Sequence, residues 1–159
     1  MVLLKLSAIE MEQYAARSAH LAARLNLLNI CFDAGFIKAW TMASTVKSPC
    51  GPTQFTLYLI VLPDQAVAVG TVTLRAANNE IATSFLLGYW VAPDYRRKGM
   101  ATLAVAELLK YLKLVTRQVE LYAHVGHNNV ASGKLLACNQ FALVSEDTAL
   151  KLDTWKIVL

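Results

Sequence analysis

The spacing of apolar residues in the N-terminal third of the chain is that of a short strand followed by helices. Residues 2–6 form a brief apolar run typical of a strand. Ser7 and Glu10 have the spacing of a capping box, in which each side chain satisfies the other residue's free backbone amide as a helix begins. A second apolar stretch over residues 25–40 is expected to continue as helix after a break near Asn26 or Asn29. The pattern therefore predicts one strand and two helices before any other strand.

The pattern becomes that of strands after a loop at residues 48–53, which is rich in proline and glycine. Phe55–Leu62 and residues 66–74 are rich in β-branched and aromatic side chains. Because Pro63 and Asp64 join these two stretches, we predict an antiparallel hairpin.

Strands and helices alternate in the rest of the chain, after a turn at Asn78 and Asn79. The predicted elements are a strand at 80–91, a helix at 101–114, a strand at 119–125, a helix at 129–138 and a last strand near 155–159. The buried side of the longer helix is expected to hold Leu103, Leu108, Leu109 and Leu112. The whole order is β, α, α, β, β, β, α, β, α, β, without a repeat or a linker. It predicts a mixed α/β fold in a single domain, residues 1–159, with one sheet flanked by helices.

Composition supports a folded chain of one domain. The sequence has 159 residues, of which 56% are apolar and 16% charged, so disorder is not expected. The apolar excess leaves surface for a partner subunit, and we keep a homodimer as an expectation. The segment before Ser7 is too short for a signal peptide's apolar stretch, and no run approaches the ~20 apolar residues of a membrane helix. We therefore expect a cytoplasmic protein without a membrane partner.

The basic residues and the cysteines narrow the candidate chemistry. The net charge is +4, and its one tight basic cluster is Arg96, Arg97 and Lys98. Such a cluster indicates either a solvated turn or a local anion site, rather than a nucleic-acid surface. The cysteines are odd in number and widely spaced, which favours reduced thiols: Cys31, Cys50 and Cys138. His124 and His127 alone do not indicate a metal site, so no metal is expected.

The basic cluster belongs to a turn that leads from a strand directly into a helix, over residues 88–102. The first backbone amides of a helix lack internal partners and carry the positive end of its dipole, so they bind a pyrophosphate well. Gly99 lets the chain approach such a group closely, and the hydroxyl of Thr102 can donate a hydrogen bond in the first turn. The turn therefore predicts a phosphate-binding site.

The turn resembles the cofactor signature of the GNAT acetyltransferase superfamily, which is a Gln or Arg, two residues, Gly, one residue, then Gly or Ala. The matching residues here are Arg96, Gly99 and Ala101. Three later residues are similar to the superfamily's second cofactor motif: Asn129, Ser132 and Phe141. The residues around both motifs resemble the branch that acetylates alanine or serine at ribosomal-protein N-termini. The resemblance covers residues 84–141 and hardly touches the N-terminal third.

The resemblance implies a mostly antiparallel sheet in which a central strand pair splays apart and holds acetyl-CoA in the notch. The pantetheine arm would pair with backbone near Trp90 and Val91, and the amide of Val91 would polarise the thioester carbonyl. Asn129 would hold the arm from the other side, although a plain helix cap explains this residue equally well. The full expected cofactor set is Trp90, Val91, Arg96, Arg97, Lys98, Gly99, Met100, Ala101, Thr102, Asn129 and Ser132. The implied reaction is direct transfer of the acetyl group to a primary amine.

Proton transfer needs a base, which many relatives carry on the strand before the phosphate turn. The matching positions here are Phe85 and Leu87, which cannot accept a proton. His124 is our candidate because it shares one face of its strand with Glu120 and Tyr122, and because histidine exchanges protons near neutral pH. The competing interpretation is a polar histidine without chemistry at a strand end. Glu80 is a poorer candidate.

The proton donor is less defined. Leu136 stands where many relatives have a tyrosine, and the hydroxyl of Thr102 is the alternative donor, although a phosphate ligand is the stronger interpretation of Thr102. Gln140 replaces the usual glycine before Phe141, and we expect it to reshape the turn after the last helix.

The sequence leaves two questions open. The acceptor is either a protein N-terminus or a small amine, and the nearby acids that might attract it are Glu12, Asp33 and Glu80. The missing bases are also consistent with a non-catalytic protein that binds acetyl-CoA as a sensor or an interaction partner.

Overall fold

The computed structural model describes residues 1–45, 55–77 and 84–159. The predicted loop at 48–53, the turn at Asn78 and Asn79, Cys50 and the candidate Glu80 lie outside the described residues. The described strands are β1 (Val2–Lys5), β2 (Asn29–Ile30), β3 (Phe55–Leu62), β4 (Val67–Ala76), β5 (Ser84–Val91), β6 (Glu120–Gly126), β7 (Ala142–Asp147) and β8 (Leu152–Val158). The described helices are α1 (Ala8–Ala15), α2 (Ala19–Arg24), α3 (Ala34–Thr45), α4 (Met100–Val115) and α5 (Val130–Cys138).

All the described strands belong to one sheet with the order β1-β3-β4-β5-β6-β8-β7, and β2 pairs with β4. Neighbours along the main order are antiparallel except for β5 and β6, which are parallel. The predicted mixed α/β fold with a mostly antiparallel sheet is therefore confirmed.

Helices cover the two faces of the sheet and form two separate cores. Side chains of β3 alternate between them, with Leu57 and Leu59 in one core and Tyr58 and Ile60 in the other, as the pleat of a strand requires. The first core packs α1, α2 and α3 against the β1, β3 and β4 part of the sheet. The second core packs α4 and α5 across the central strands as far as β6.

The parallel pair β5 and β6 separates soon after it begins. The two strands are in register only from Ser84 opposite Glu120 to Leu86 opposite Tyr122. The rest of β5, residues 87–91, stays paired with β4 and has no register partner on β6 among the described residues. The predicted splayed strand pair is confirmed, and it leaves a notch between the far halves of β5 and β6.

The N-terminal elements confirm one prediction and correct another. The capping box is present, because the Ser7 hydroxyl accepts from the amide of Glu10 and the Glu10 carboxylate accepts from the amide of Ser7 at 2.8 Å. The break predicted near Asn26 or Asn29 is present, but the prediction that only helix follows it was wrong. Instead, α2 ends at Arg24, the short strand β2 follows, and α3 begins after Asp33, whose carboxylate accepts hydrogen bonds from the first amides of that helix.

Two predictions for the second half of the chain also need correction. Strand β7 was missed because its side chains are exposed along its whole length, so no buried apolar pattern marks it. Leu103 was expected to be buried in α4, but it is 54% exposed. Gln140, which we expected to reshape the turn after α5, adopts the left-handed conformation (φ 66°) that a glycine favours. The amide of Phe141 donates to the carbonyl of Leu136 at 3.0 Å, as in a Schellman motif.

Candidate functional site

The phosphate turn joins β5 to α4 and presents unbonded backbone amides. Gly99 is the N-cap of α4 and has φ 73°, and no side chain of the described residues caps this helix. The first amide bonded inside the helix is that of Leu103, which donates to the carbonyl of Gly99 at 3.0 Å. The amides of residues 100–102 therefore keep free hydrogens at the positive end of a 16-residue helix.

These amides open onto a cavity of about 600 Å³ between β5, α4 and α5. A Cβ atom at Gly99 would contact no heavy atom of the described chain within 4 Å, so the cavity approaches the backbone closely here. The cavity is lined by all the predicted cofactor residues except Lys98, namely Trp90, Val91, Arg96, Arg97, Gly99, Met100, Ala101, Thr102, Asn129 and Ser132. Residues from both sequence motifs thus line one cavity, at the edge of β5 that borders the notch.

The three basic residues of the turn are arranged differently from one another. Nε of Arg96 donates to the carbonyl of Val91 at 2.8 Å, which ties the turn to the end of β5. Nζ of Lys98 donates to the carbonyl of Asp94 at 3.1 Å and lies 5.5 Å from the ring centre of Tyr95, and Lys98 itself does not line the cavity. Arg97 lines the cavity and adopts φ 59°. Its guanidinium is therefore the cation of this cluster best placed for an anion in the cavity.

Helix α5 forms the opposite wall and is held to the rest of the site by polar contacts. Oδ1 of Asn129 accepts from the amide of Ser132 at 3.2 Å, so Asn129 caps the helix. The Tyr89 hydroxyl donates to the carbonyl of Ser132 at 3.4 Å, and burial raises the pKa of this phenol. Buried Asn139 donates to the carbonyl of Thr102 at 3.3 Å. These contacts fix the distance between the two walls of the cavity.

The end of β5 directs the backbone of Val91 toward the notch. The amide of the next residue, Ala92, donates to the carbonyl of Val69 on β4 at 2.9 Å. Amides of successive strand residues point to opposite edges of the strand. The amide of Val91 therefore points away from β4, toward the side where β6 has separated.

His124 lies on the other face of the sheet from the α4 and α5 core. It shares that face with Glu120 and Tyr122, while Leu121, Ala123 and Val125 are buried in the core, as predicted. Nδ1 of His124 is 3.1 Å from the hydroxyl of Thr154 on β8, and Nε2 has no hydrogen-bond partner among the described residues. His124 does not line the 600 Å³ cavity, because the cavity lies on the α4 and α5 side.

Glu120 is engaged by its neighbours on the same face. Its carboxylate accepts from Nζ of Lys156 at 2.8 Å and from the Tyr122 hydroxyl at 2.8 Å. The hydrogen bond from Lys156, followed by that from Tyr122, lowers the pKa of Glu120. A carboxylate with a lowered pKa is a weak base, so Glu120 does not compete with His124 for proton transfer.

Other candidate side chains have structural contacts that account for them. Phe85 and Leu87 pack into the α4 and α5 core, and Leu136 is fully buried, so these positions supply no acid or base. Asp33 is 8% exposed and accepts from the Thr71 hydroxyl at 2.9 Å as well as from the α3 amides. Burial raises the pKa of the Cys31 thiol, which disfavours its reactive thiolate form.

Several cavity residues were not predicted from the sequence: Tyr89, Tyr95, Ala131, Lys134, Leu135 and Cys138. The helical period of α5 could have indicated some of them, because Ala131, Leu135 and Cys138 follow at intervals of four and three residues. Lys134 has the same helical spacing, three residues after Ala131 and four before Cys138, whereas Tyr95 carries no such signal.

Two further observations concern metals and membranes. In the residues that the structure describes, no group of three or more His, Cys, Asp or Glu side chains could hold a metal ion. None of the helices within the described ranges is both long enough and apolar enough to cross a membrane.

Known structures share this architecture. Ribosomal-protein-S5-alanine acetyltransferase from Vibrio fischeri is 14% identical, with a TM-score of 0.61 over 98% of this chain and 91% of its own. The spermidine N-acetyltransferase SpeG N152L mutant from Vibrio cholerae is 16% identical, with a TM-score of 0.61 over 99% and 92%. RimL, a ribosomal L7/L12 alpha-N-protein acetyltransferase in complex with coenzyme A, is 14% identical, with a TM-score of 0.62 over 99% and 93%. At these identities the likeness shows the fold.

Sequence comparison gives the family. No curated protein matches the chain. The family model of the acetyltransferase (GNAT) domain matches residues 16–141, which include both motifs and the cavity. The chain therefore belongs to the GNAT acetyltransferase family.

Proposed function

We propose that this protein binds acetyl-CoA in the cavity between β5, α4 and α5 and transfers its acetyl group directly to a primary amine. The observation that carries this proposal is the uncapped start of α4, whose free amides at residues 100–102 open onto a cavity of about 600 Å³. A diphosphate satisfies such amides and the helix dipole together. The guanidinium of Arg97 adds a positive charge at the same place.

The rest of the cofactor follows the edge of β5. The pantetheine arm lies beside Trp90 and Val91, in the position that β6 vacates, and Asn129 faces it from α5. The amide of Val91 points into the notch and donates to the thioester carbonyl oxygen as it becomes negative. Lys98 acts on the phosphates only at longer range, because its ammonium bonds the turn itself.

The amine approaches from the face of the sheet that carries His124. Nε2 of His124 takes a proton from the ammonium of the acceptor, and the neutral nitrogen attacks the carbonyl carbon. The carbon–sulfur bond then breaks, the attacking nitrogen gives up its second proton as the amide forms, and the thiolate of coenzyme A takes up one proton. Thr102 lies in the first turn of α4, at the phosphate end of the cavity. We therefore assign Thr102 first to a phosphate, with proton donation to the thiolate as its second role.

Charges on the His124 face favour an acceptor with a single amine. Structural neighbours act on ribosomal proteins or on spermidine, which are different acceptor classes. The carboxylate of Glu120 is already paired with Lys156, and Asp33 is buried under Thr71. On the strands of this face that leaves Asp147, which accepts from the amide of Leu150 and has no ion-pair partner among the described residues. A polyamine requires free carboxylates for its additional ammonium groups. A protein N-terminus or a small monoamine therefore fits the described part of this face better.

The second candidate function is a protein that binds acetyl-CoA without catalysis. The apolar side chains of Phe85, Leu87 and Leu136 favour it, because they occupy positions where relatives carry acids or bases. Release of free coenzyme A thiol with a panel of amines and N-terminal peptides separates the two functions. Turnover supports the enzyme, whereas thermal stabilisation by acetyl-CoA without turnover supports the non-catalytic protein.

The role of His124 is tested by His124→Ala, with His20→Ala as the matched control on the exposed surface of α2. We expect kcat/KM to fall by about 100-fold or more, the usual contribution of a general base. The Kd for acetyl-CoA should stay unchanged, because His124 does not line the cavity. An unchanged rate and pH profile in His124→Ala would exclude the residue from the mechanism.

A further inference from the structure

The His124 imidazole has one defined protein partner. His124 and Thr154 are directly opposite each other on the antiparallel strands β6 and β8. The Thr154 hydroxyl lies 3.1 Å from Nδ1, while Nε2 has no partner among the described residues. The side chain of Thr154 is half-buried between β6 and β7, so its position is set by the sheet.

We propose that Thr154 is a positioning residue that selects the tautomer of His124 with the proton on Nδ1. This inference rests on the proposed function only for its effect on catalysis. A neutral imidazole has one nitrogen that donates and one that accepts, and a hydroxyl can take either role toward Nδ1. Once Nε2 is protonated both ring nitrogens donate, so only an accepting hydroxyl fits the ring in both states. If Nδ1–H donates to the hydroxyl of Thr154, the lone pair of Nε2 is available for the proton of the acceptor.

The proton transfer itself explains why a hydroxyl suits this position. When Nε2 takes a proton, both ring nitrogens donate, and Nδ1–H keeps the same hydrogen bond to Thr154. The hydroxyl of Thr154 accepts throughout and gives its own hydrogen to water. No partner has to rearrange during the step, so the ring stays oriented before and after proton transfer.

Charged groups around His124 do not fix the tautomer in place of Thr154. On this face of β6, β8 and β7 the titratable neighbours are Tyr122, Glu120, Lys156 and Asp147, and the facing positions of β5 are Gly88 and Trp90. Glu120 and Lys156 pair with each other at 2.8 Å, and Asp147 accepts from the amide of Leu150. The direct contact to the ring is therefore the neutral hydroxyl.

His127 provides an internal comparison. Its Nε2 lies 3.0 Å from a carboxylate oxygen of Asp153, so its ring is held by a charged partner through the other nitrogen. A change at Thr154 should alter the nitrogen signals of His124 and leave those of His127 as they were.

The experiment is ¹⁵N NMR of histidine-labelled full-length protein without cofactor, at a pH where the imidazoles are neutral. His124→Gln assigns the signals of His124. We expect a protonated Nδ1 and an unprotonated Nε2 in the parent protein. Thr154→Val keeps the shape of the side chain but removes its hydrogen bond, and it should shift the population toward the Nε2–H form. Thr154→Ser should restore the parent spectrum.

Kinetics supply the second measurement. We expect kcat/KM of Thr154→Val to fall by about tenfold, the usual scale for a residue that orients a functional histidine, and Thr154→Ser to recover most of it. The Kd for acetyl-CoA should not change. A parent spectrum with the proton on Nε2, or an identical spectrum in Thr154→Val, overturns the inference. If the NMR result holds while His124→Ala keeps full activity, the tautomer assignment stands and the proposed base is wrong.

Discussion

The cofactor side of the sheet, next to α4 and α5, and the N-terminal side, next to α1, α2 and α3, are built from different chemical groups. The cavity beside α4 presents backbone amides, and its shape depends on the left-handed conformation of Gly99. The N-terminal side is organised by side chains, chiefly the buried carboxylate of Asp33, which joins α3 to Thr71 of β4. A site made of backbone needs only a few permissive residues at fixed spacing. A surface made of side chains depends on contacts between residues distant in sequence.

The largest effect is expected from a substitution at the backbone amides of the cofactor side. Gly99→Trp should weaken acetyl-CoA binding by at least about 100-fold, because the indole fills the approach to amides whose hydrogen bonds to a charged phosphate contribute about 1.5–3 kcal/mol each. Isothermal titration calorimetry measures the loss, and far-ultraviolet circular dichroism verifies that the fold is retained. A Cβ at this position meets no heavy atom of the described chain within 4 Å, and Gly99 is exposed, so the substitution starts outside the core.

Gly99→Ala is the matched control for backbone strain. Alanine suffers the same left-handed penalty, about 1–2 kcal/mol, but leaves the approach open. Its effect on the Kd should stay at or below about tenfold. If Ala and Trp weaken binding equally, strain rather than access explains the glycine, and the proposed phosphate site loses its main support.

The next largest effect is expected from a substitution that removes the buried carboxylate of the N-terminal side. Asp33→Ala leaves the first amides of α3 and the buried hydroxyl of Thr71 without their shared acceptor. We expect the free energy of unfolding to fall by about 2–3 kcal/mol. Urea denaturation measures this loss. The Kd for acetyl-CoA at a temperature where the variant is folded should match the parent, because Asp33 does not line the cavity.

Substitution of an exposed acid on the same side is the control for this prediction. Glu12 is exposed on α1, and Glu12→Ala should change the free energy of unfolding by less than about 0.5 kcal/mol. Equal losses in both variants would mean that the buried contacts of Asp33 contribute nothing specific.

The same contrast explains what the sequence could predict. Local spacing predicts four features: the turn, the start of α4, the cap at Asn129 and the two faces of β6. The structure has the turn, the cap and the faces where the spacing predicted them. The division of 25–40 into β2 and α3 depends on Asp33 meeting Thr71, which lies 38 residues away. Strand β7 carries no buried face, and Thr154 reaches His124 only through strand pairing. Neither feature leaves a local pattern in the sequence.

A smaller effect is expected at the start of α1, far from the cofactor cavity. Ser7→Ala removes the cap and should lower the free energy of unfolding by about 1 kcal/mol at pH 7. The side-chain hydrogen bond from Ser7, and then the bond from the Ser7 amide, lower the pKa of Glu10. Because the pKa of Glu10 is lower in the folded state, its ionised form stabilises the fold at pH values above the pKa of the unfolded state, about 4.3. This stabilisation is lost as the pH falls through the pKa of the folded state. The difference between parent and variant should therefore narrow in urea titrations at acid pH.

The smallest expected effect is a gain on the cofactor side. Gln140 holds the left-handed position of the Schellman motif after α5, where a side chain costs about 1 kcal/mol that glycine avoids. Glycine also makes the unfolded chain more flexible, which offsets part of the gain. Gln140→Gly should therefore raise the free energy of unfolding by about 0.5 kcal/mol and leave the Kd for acetyl-CoA unchanged, because the motif already has its glycine-like shape. A lower free energy of unfolding in Gln140→Gly would mean that the exposed glutamine side chain stabilises the fold by more than its left-handed backbone costs. Backbone conformation, which controls the turn at Gly99, would then not control the end of α5.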